Sequence, residues 1–168
     1  MVSRLKPRKV PPVKPASKAL LRNFMRIVIA MCLTAAGITA MTVDAQDASH
    51  SVWVGVYTAA QSQRGAQVFA AQCVACHGEN LEGNGAEVPA LTGKMFLYKW
   101  DSLPLQALFD LIHIDMPLSN PGSLSGQESA DLTAYILSMN QIPAGATELS
   151  DNAQSLQNIR FDAKKPDH

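Results

Sequence analysis

Apolar residues recur at helical spacing in three separate stretches of the chain. In the first, residues 58–72, Val68 and Phe69 lie on neighbouring faces with Gln72 and Cys73, and alanine fills much of the rest. Thr58 stands where a residue able to accept the first free amides is expected. In the second, residues 103–113, Leu105, Leu108, Phe109 and Ile112 recur three or four apart, with Ser102 as the expected cap. The third opens on Ser125-Gly126-Gln127-Glu128, a capping-box signature, and runs to about Met139. Its predicted inner stripe is Leu132, Tyr135, Ile136 and Met139. Residues 78–93 hold four glycines and one proline and are predicted to be loop, and residues 117–122 break the second pattern. No stretch alternates long enough to predict a strand. The expected fold is all-α, with three main helices. Three short helices bury too little surface by themselves, so a large buried apolar group is expected at the centre.

Charge divides the chain in two. The formal net charge over 168 residues is zero, yet eight of the fourteen basic residues lie in the first 26 positions and no acid precedes Asp44. Residues 1–26 read as a basic n-region, and 27–43 as an uncharged apolar region. Val43-Asp44-Ala45 then places small residues where a signal peptidase reads. We expect export with cleavage after Ala45. The alternative is an uncleaved anchor, because 17 uncharged residues stand at the short limit of a membrane span. The long n-region also suggests a start at Met25. Cys32, preceded by Met31 rather than a small residue, reads as incidental to the apolar region.

The mature chain then has an N-terminal arm (46–58) tacked down by Trp53 and Tyr57, a helical domain (59–141) and a C-terminal surface tail (142–168). It keeps six bases against thirteen acids, a net charge of −7 with histidine neutral. Such a surface speaks against nucleic acid as a partner and favours a protein with a basic docking patch.

The chemistry sits in Cys73-Val74-Ala75-Cys76-His77, the C-x-x-C-H pattern of covalent haem attachment. Two thiols three positions apart at a helix end can each add to one vinyl group of the same porphyrin. The next residue, His77, then lies under the iron. A structural zinc site would need about four ligands, and the mature chain has only these two cysteines. A thioredoxin-like dithiol expects a strand–helix setting, which the pattern does not offer. A simple disulfide is the third competing reading. For the sixth position on iron the candidates are Met95, His113, Met116 and Met139. Met139 falls on a core stripe and His113 interrupts an apolar helix face. Met116 precedes Pro117 in a loop between helices, where a thioether can reach over the ring from the face opposite His77. It is the expected ligand, and thioether ligation raises the reduction potential relative to a second histidine.

Together these residues resemble the class I cytochrome c family over roughly residues 60–140. Gly65, Phe69 and Cys73 recur at steps of four as in the family's first helix, and Leu132 and Tyr135 resemble the matching pair on its last. Pro89 and Leu91 follow His77 at the family's spacing, and Met116-Pro117 resembles its axial methionine. The resemblance implies a cytochrome c-like fold around one haem c, bound through Cys73 and Cys76. His77 and Met116 would ligate iron, the Pro89 carbonyl would orient His77, and Leu91 would line the haem. It implies single-electron transfer rather than enzymatic catalysis. The pocket walls are expected from Leu81, Val88, Leu91, Phe96, Leu105, Leu108 and Ile112, and Trp100 either packs in the core or hydrogen-bonds a haem propionate. Val56-Tyr57-Thr58, Pro143-Ala144-Gly145, Glu148-Leu149 and Ile159-Arg160-Phe161 are similar to small cytochromes that accompany quinoprotein dehydrogenases. That similarity implies a quinoprotein dehydrogenase as donor and an oxidase as acceptor, in the periplasm. Two other readings stay open: a haem subunit of a larger complex, and a catalytic or ligand-binding haem with an open sixth position.

Overall fold

The computed structural model describes residues 50–85 and 87–167. The expected export segment, its cleavage point after Ala45 and the Met25 start lie outside them. Among the described residues the chain forms five α-helices and no strand, only isolated bridges from Arg160 to Ser51 and Pro104. These helices are α1 (Ala59–Gln72), α2 (Val74–His77), α3 (Gly93–Trp100), α4 (Leu105–Asp110) and α5 (Gly126–Met139). A π turn, Leu111–Asp115, continues α4. The expected all-α, cytochrome c-like fold is what is found.

Local chemistry sets the helix ends. Thr58 Oγ1 accepts from the Gln61 amide at 3.1 Å and starts α1. At the start of α5 the capping box closes in both directions: Ser125 Oγ accepts from the Glu128 amide at 3.2 Å, and Glu128 Oε2 accepts from the Ser125 amide at 2.8 Å. Those bonds from Ser125 hold the Glu128 carboxyl below its ordinary range.

α5 is the most enclosed helix, with Ser129, Ala130, Asp131, Leu132, Thr133, Ala134, Ile136 and Leu137 all buried. It crosses α1 at Gly65, where a Cβ would lie 1.9 Å from the Asp131 carbonyl oxygen. Only glycine permits that approach. Phe69 and Tyr135 pack at the same crossing with ring centroids 5.4 Å apart. Arg64 donates to both carboxylate oxygens of buried Asp131, at 2.9 and 3.0 Å, and to both of Glu148, at 2.9 and 3.0 Å.

The segment after α5 does more than cover the surface. Leu149, Leu156 and Phe161 are all buried in the core. The fully buried Gln61 side chain pairs with the Leu149 backbone in both directions, at 2.9 and 2.7 Å. Tyr57 donates to the Ile142 carbonyl, and Trp53 Nε1 donates to that of Asp162. Ile159, Arg160 and Phe161 run between the N-terminal arm and the α3–α4 connection, exchanging backbone bonds with Val52, Ser102, Leu103 and Leu105.

Residues 94–100, for which the sequence pattern predicts no element, form a helix with Gly93; of its eight residues only Phe96 and Trp100 are buried. Two local expectations need correction. Ser102 does not cap α4. It sits at φ 65°, its amide donates to Phe161, and the helix starts at Leu105 behind Pro104. Met139 is not a core residue: it is 37% exposed at the last turn of α5, where the fully buried Leu137 takes the inner position instead.

Ser125→Ala should destabilise the folded protein by about 1 kcal/mol at neutral pH, as removal of a cap does. Glu128 has a folded pKa below its unfolded value, so its contribution is present above the ordinary carboxylate range and is lost as pH falls through the folded value. The difference between wild type and variant, measured by denaturant unfolding, should therefore shrink on acidification.

Candidate haem site

Cys73 closes α1, its amide donating to the Phe69 carbonyl at 2.9 Å, and at once opens the single turn α2. The Cys76 and His77 amides both donate to the Cys73 carbonyl, at 3.1 and 2.9 Å. Both thiols are free, Cys73 half-buried and Cys76 exposed. Burial above all, and the neighbouring Cys76, push the Cys73 thiol up to about 11. A thiol so far from ionising is poorly suited to a thioredoxin-type nucleophile. Among the described residues no cluster of three or more His, Cys, Asp or Glu could hold a metal.

His77 Nδ1 lies 3.3 Å from the Pro89 carbonyl oxygen. Nδ1–H donates there, which leaves the Nε2 lone pair available. Burial lowers the imidazole pKa, partly opposed by the Pro89 bond, so the ring is neutral at physiological pH. The loop that delivers Pro89 is tightly tied. Gly83 N–H donates to the His77 carbonyl at 2.8 Å, Asn84 N–H to Val88 at 3.0 Å, and Leu91 N–H to Leu81 at 2.8 Å. At Gly83 a Cβ would meet the Val88 oxygen at 2.2 Å, and φ is +67°, so glycine is required.

Asn140, which the sequence reading did not single out, locks this loop to the end of α5. Its side chain donates to the Leu91 and Ile136 carbonyls at 2.9 and 2.8 Å and accepts from the Gly93 amide at 3.0 Å. The available signal was an amide residue just past the last apolar position of a helix, which reads as an ordinary end cap.

Of the four sixth-ligand candidates, Met95 is 83% exposed on α3 and Met139 is exposed at the end of α5. His113 Nδ1 is turned onto Ser129 Oγ at 3.1 Å. Met116 is half-buried and extended, directly after the π turn. Among the expected wall residues, Leu81, Phe96, Leu105, Leu108 and Ile112 are buried, and Val88 and Leu91 half-buried. Trp100 is buried beside Phe96, and its indole Nε1–H has no hydrogen-bond partner within the described fold. An unpaired buried donor costs free energy, and a haem propionate is an acceptor that would satisfy it. The free thiols, the oriented imidazole and this orphan donor fit a haem.

Residues 62–140 match the family model for cytochrome c. These residues form a cytochrome c domain. Such a domain carries a covalently bound haem c and moves electrons through it. A 42-residue stretch is 50% identical to the cbb3-type cytochrome c oxidase subunit FixP of Bradyrhizobium sp. (strain ORS 278). That match takes in 24% of this chain and only 14% of the length of FixP. Among solved structures, the sulfane dehydrogenase SoxCD from Paracoccus pantotrophus aligns over 75% of this chain and 68% of its own, at 20% identity and a TM-score of 0.45.

Cys73→Ala should leave the haem attached through one thioether at best. The alkaline pyridine haemochrome spectrum should then shift toward that of a haem retaining one vinyl group; an unshifted two-bond spectrum would contradict the assignment.

Proposed function

We propose that the chain is an exported, periplasmic one-electron carrier working between a dehydrogenase and a terminal acceptor. Cys73 and Cys76 would hold the haem, and His77 and Met116 would ligate its iron. The observation that carries this reading is the His77–Pro89 contact, 3.3 Å at Nδ1, on a turn that also bears two free thiols. Bound haem supplies a reversible ferric–ferrous couple. The protein's part is to hold the ligands still and keep the surroundings dry. Pro89 fixes the tautomer of His77, and the half-buried Leu91 would line the haem. The buried Leu81, Phe96, Leu105, Leu108 and Ile112 exclude water, and the unpaired Trp100 N–H would be available to a propionate. The exposure of Cys76 supports an attachment side near the surface, where an electron can leave for a partner.

The proposed mature chain begins after Ala45, with its body at 59–141, an arm at 46–58 and a tail at 142–168. No helix of the described residues is long and apolar enough to cross a membrane. The acidic balance of residues 46–168 favours a basic docking face on the partner. The motifs at the two ends of the domain support a quinoprotein dehydrogenase as donor and an oxidase as acceptor.

The oxidised wild-type holoprotein should show low-spin haem with the weak far-red sulfur-to-iron band, and Met116→Ala should lose it. Intact mass of the same preparation should correspond to residues 46–168 plus one haem. A high-spin wild type that binds small ligands would instead favour an open, ligand-binding or catalytic haem. In stopped-flow reduction of a basic partner, raising ionic strength from about 0.01 to about 0.15 M should slow the second-order rate, as exposed charges are screened. A salt-independent rate would mean apolar docking.

A further inference from the structure

We propose that His113 is a positioning residue for Met116, acting through the π turn between them; this deepens the axial-ligand reading above and rests on it. The π turn Leu111–Asp115 ends at Met116, where the backbone turns extended at φ −109° and ψ 151°. A π turn is rare, occurs mostly as a single turn within an α-helix and is frequent at functional sites. Returning it to α-geometry shifts the register by one residue, and one residue is about 100° of helix rotation. The direction in which Met116 leaves the turn therefore depends on what keeps the turn wide.

The outer side of the turn offers little hold: Ile114 is 59% exposed and Asp115 is exposed. Ile112 is buried and Leu111 packs half-buried against the core, but apolar contacts tolerate sliding. His113 supplies the directional contact. Ser129 lies on α5 and is fully buried. Its single hydroxyl hydrogen goes to the Ser125 carbonyl at 2.9 Å. Its oxygen therefore accepts from His113 Nδ1–H at 3.1 Å. The imidazole also stacks on Phe109, one turn back, with centroids 5.6 Å apart. The start of α5 is itself fixed by the capping box. The chain Ser125–Ser129–His113 thus references the turn before Met116 to the most enclosed helix of the fold. Its effect is to favour the arrangement in which the thioether faces the haem.

The test uses the ferric holoprotein and added imidazole, which competes with the Met116 sulfur for iron. His113→Ala and Ser129→Ala should each bind imidazole about five-fold tighter than wild type, the effect of losing one ordinary hydrogen bond from the methionine-bound state. The double variant should be no tighter than either single one. His113→Asn, whose amide nitrogen sits close to the position of Nδ1, should return near wild type. Ser129→Ala removes only a hydroxyl and guards against misfolding of the histidine variant. Lower melting temperatures with unchanged imidazole affinity would overturn the proposal and leave His113 a purely structural residue. Absence of the sulfur-to-iron band in wild type would overturn it differently, by removing Met116 as ligand.

Discussion

The close crossing of α1 and α5 at Gly65 is the constraint on which the rest of the fold depends. With no side chain at that point, the α1 backbone comes down onto the Asp131 carbonyl, where a Cβ would stand only 1.9 Å away. That approach brings Phe69 and Tyr135 into contact and places the Arg64 guanidinium on the Asp131 carboxylate. Asp131 is buried, and a buried carboxylate must be paired to be tolerated. Here Arg64 meets both its oxygens and Gln127 adds a further donor to one of them. The two acids in turn hold the Arg64 guanidinium protonated more firmly than a free one. The ion pair and the glycine are two consequences of one geometry.

The haem site inherits its rigidity from this crossing. Cys73 and the turn carrying Cys76 and His77 continue directly from α1. Met116 leaves a turn whose His113 is bonded to Ser129 on α5. The loop presenting Pro89 is held to the end of α5 by Asn140. Both proposed axial ligands are thus referenced to the same pair of helices. A rigid, dry ligand frame suits electron transfer, where only charge and not coordination should change.

The chain beyond α5 closes the structure through polar contacts as much as apolar ones. Gln61 offers its amide to the Leu149 backbone as a strand would, and Glu148 shares the Arg64 guanidinium. Farther on, Phe161 packs edge-on against Phe96, whose other neighbour is Trp100. The tail thereby supports the wall that carries the unpaired indole N–H.

What the sequence by itself determined was whatever rests on local chemistry. The C-x-x-C-H spacing, the capping box at Ser125, the Thr58 cap and the periodic burial of Leu105, Leu108, Phe109 and Ile112 all concern residues within a turn or two of one another. They were enough for the expectation of an all-α chain built around a haem, whereas the close crossing at Gly65 is seen only in the folded structure. What only the tertiary structure decided involves partners far apart in the chain. The buried side chains of Gln61 and Asn140 pair with backbone 88 and 49 residues away. Helix α3 buries only two side chains and carries no readable period. Ser102 looks like a cap until the Phe161 carbonyl claims its amide, and Met139 looks like core until the end of α5 leaves it exposed. Likewise His113, unexplained on a helix face, finds its partner only when α4 and α5 come together. Hydrophobic period and capping follow from the order of residues along the chain; long-range polar pairing follows from which surfaces folding brings into contact.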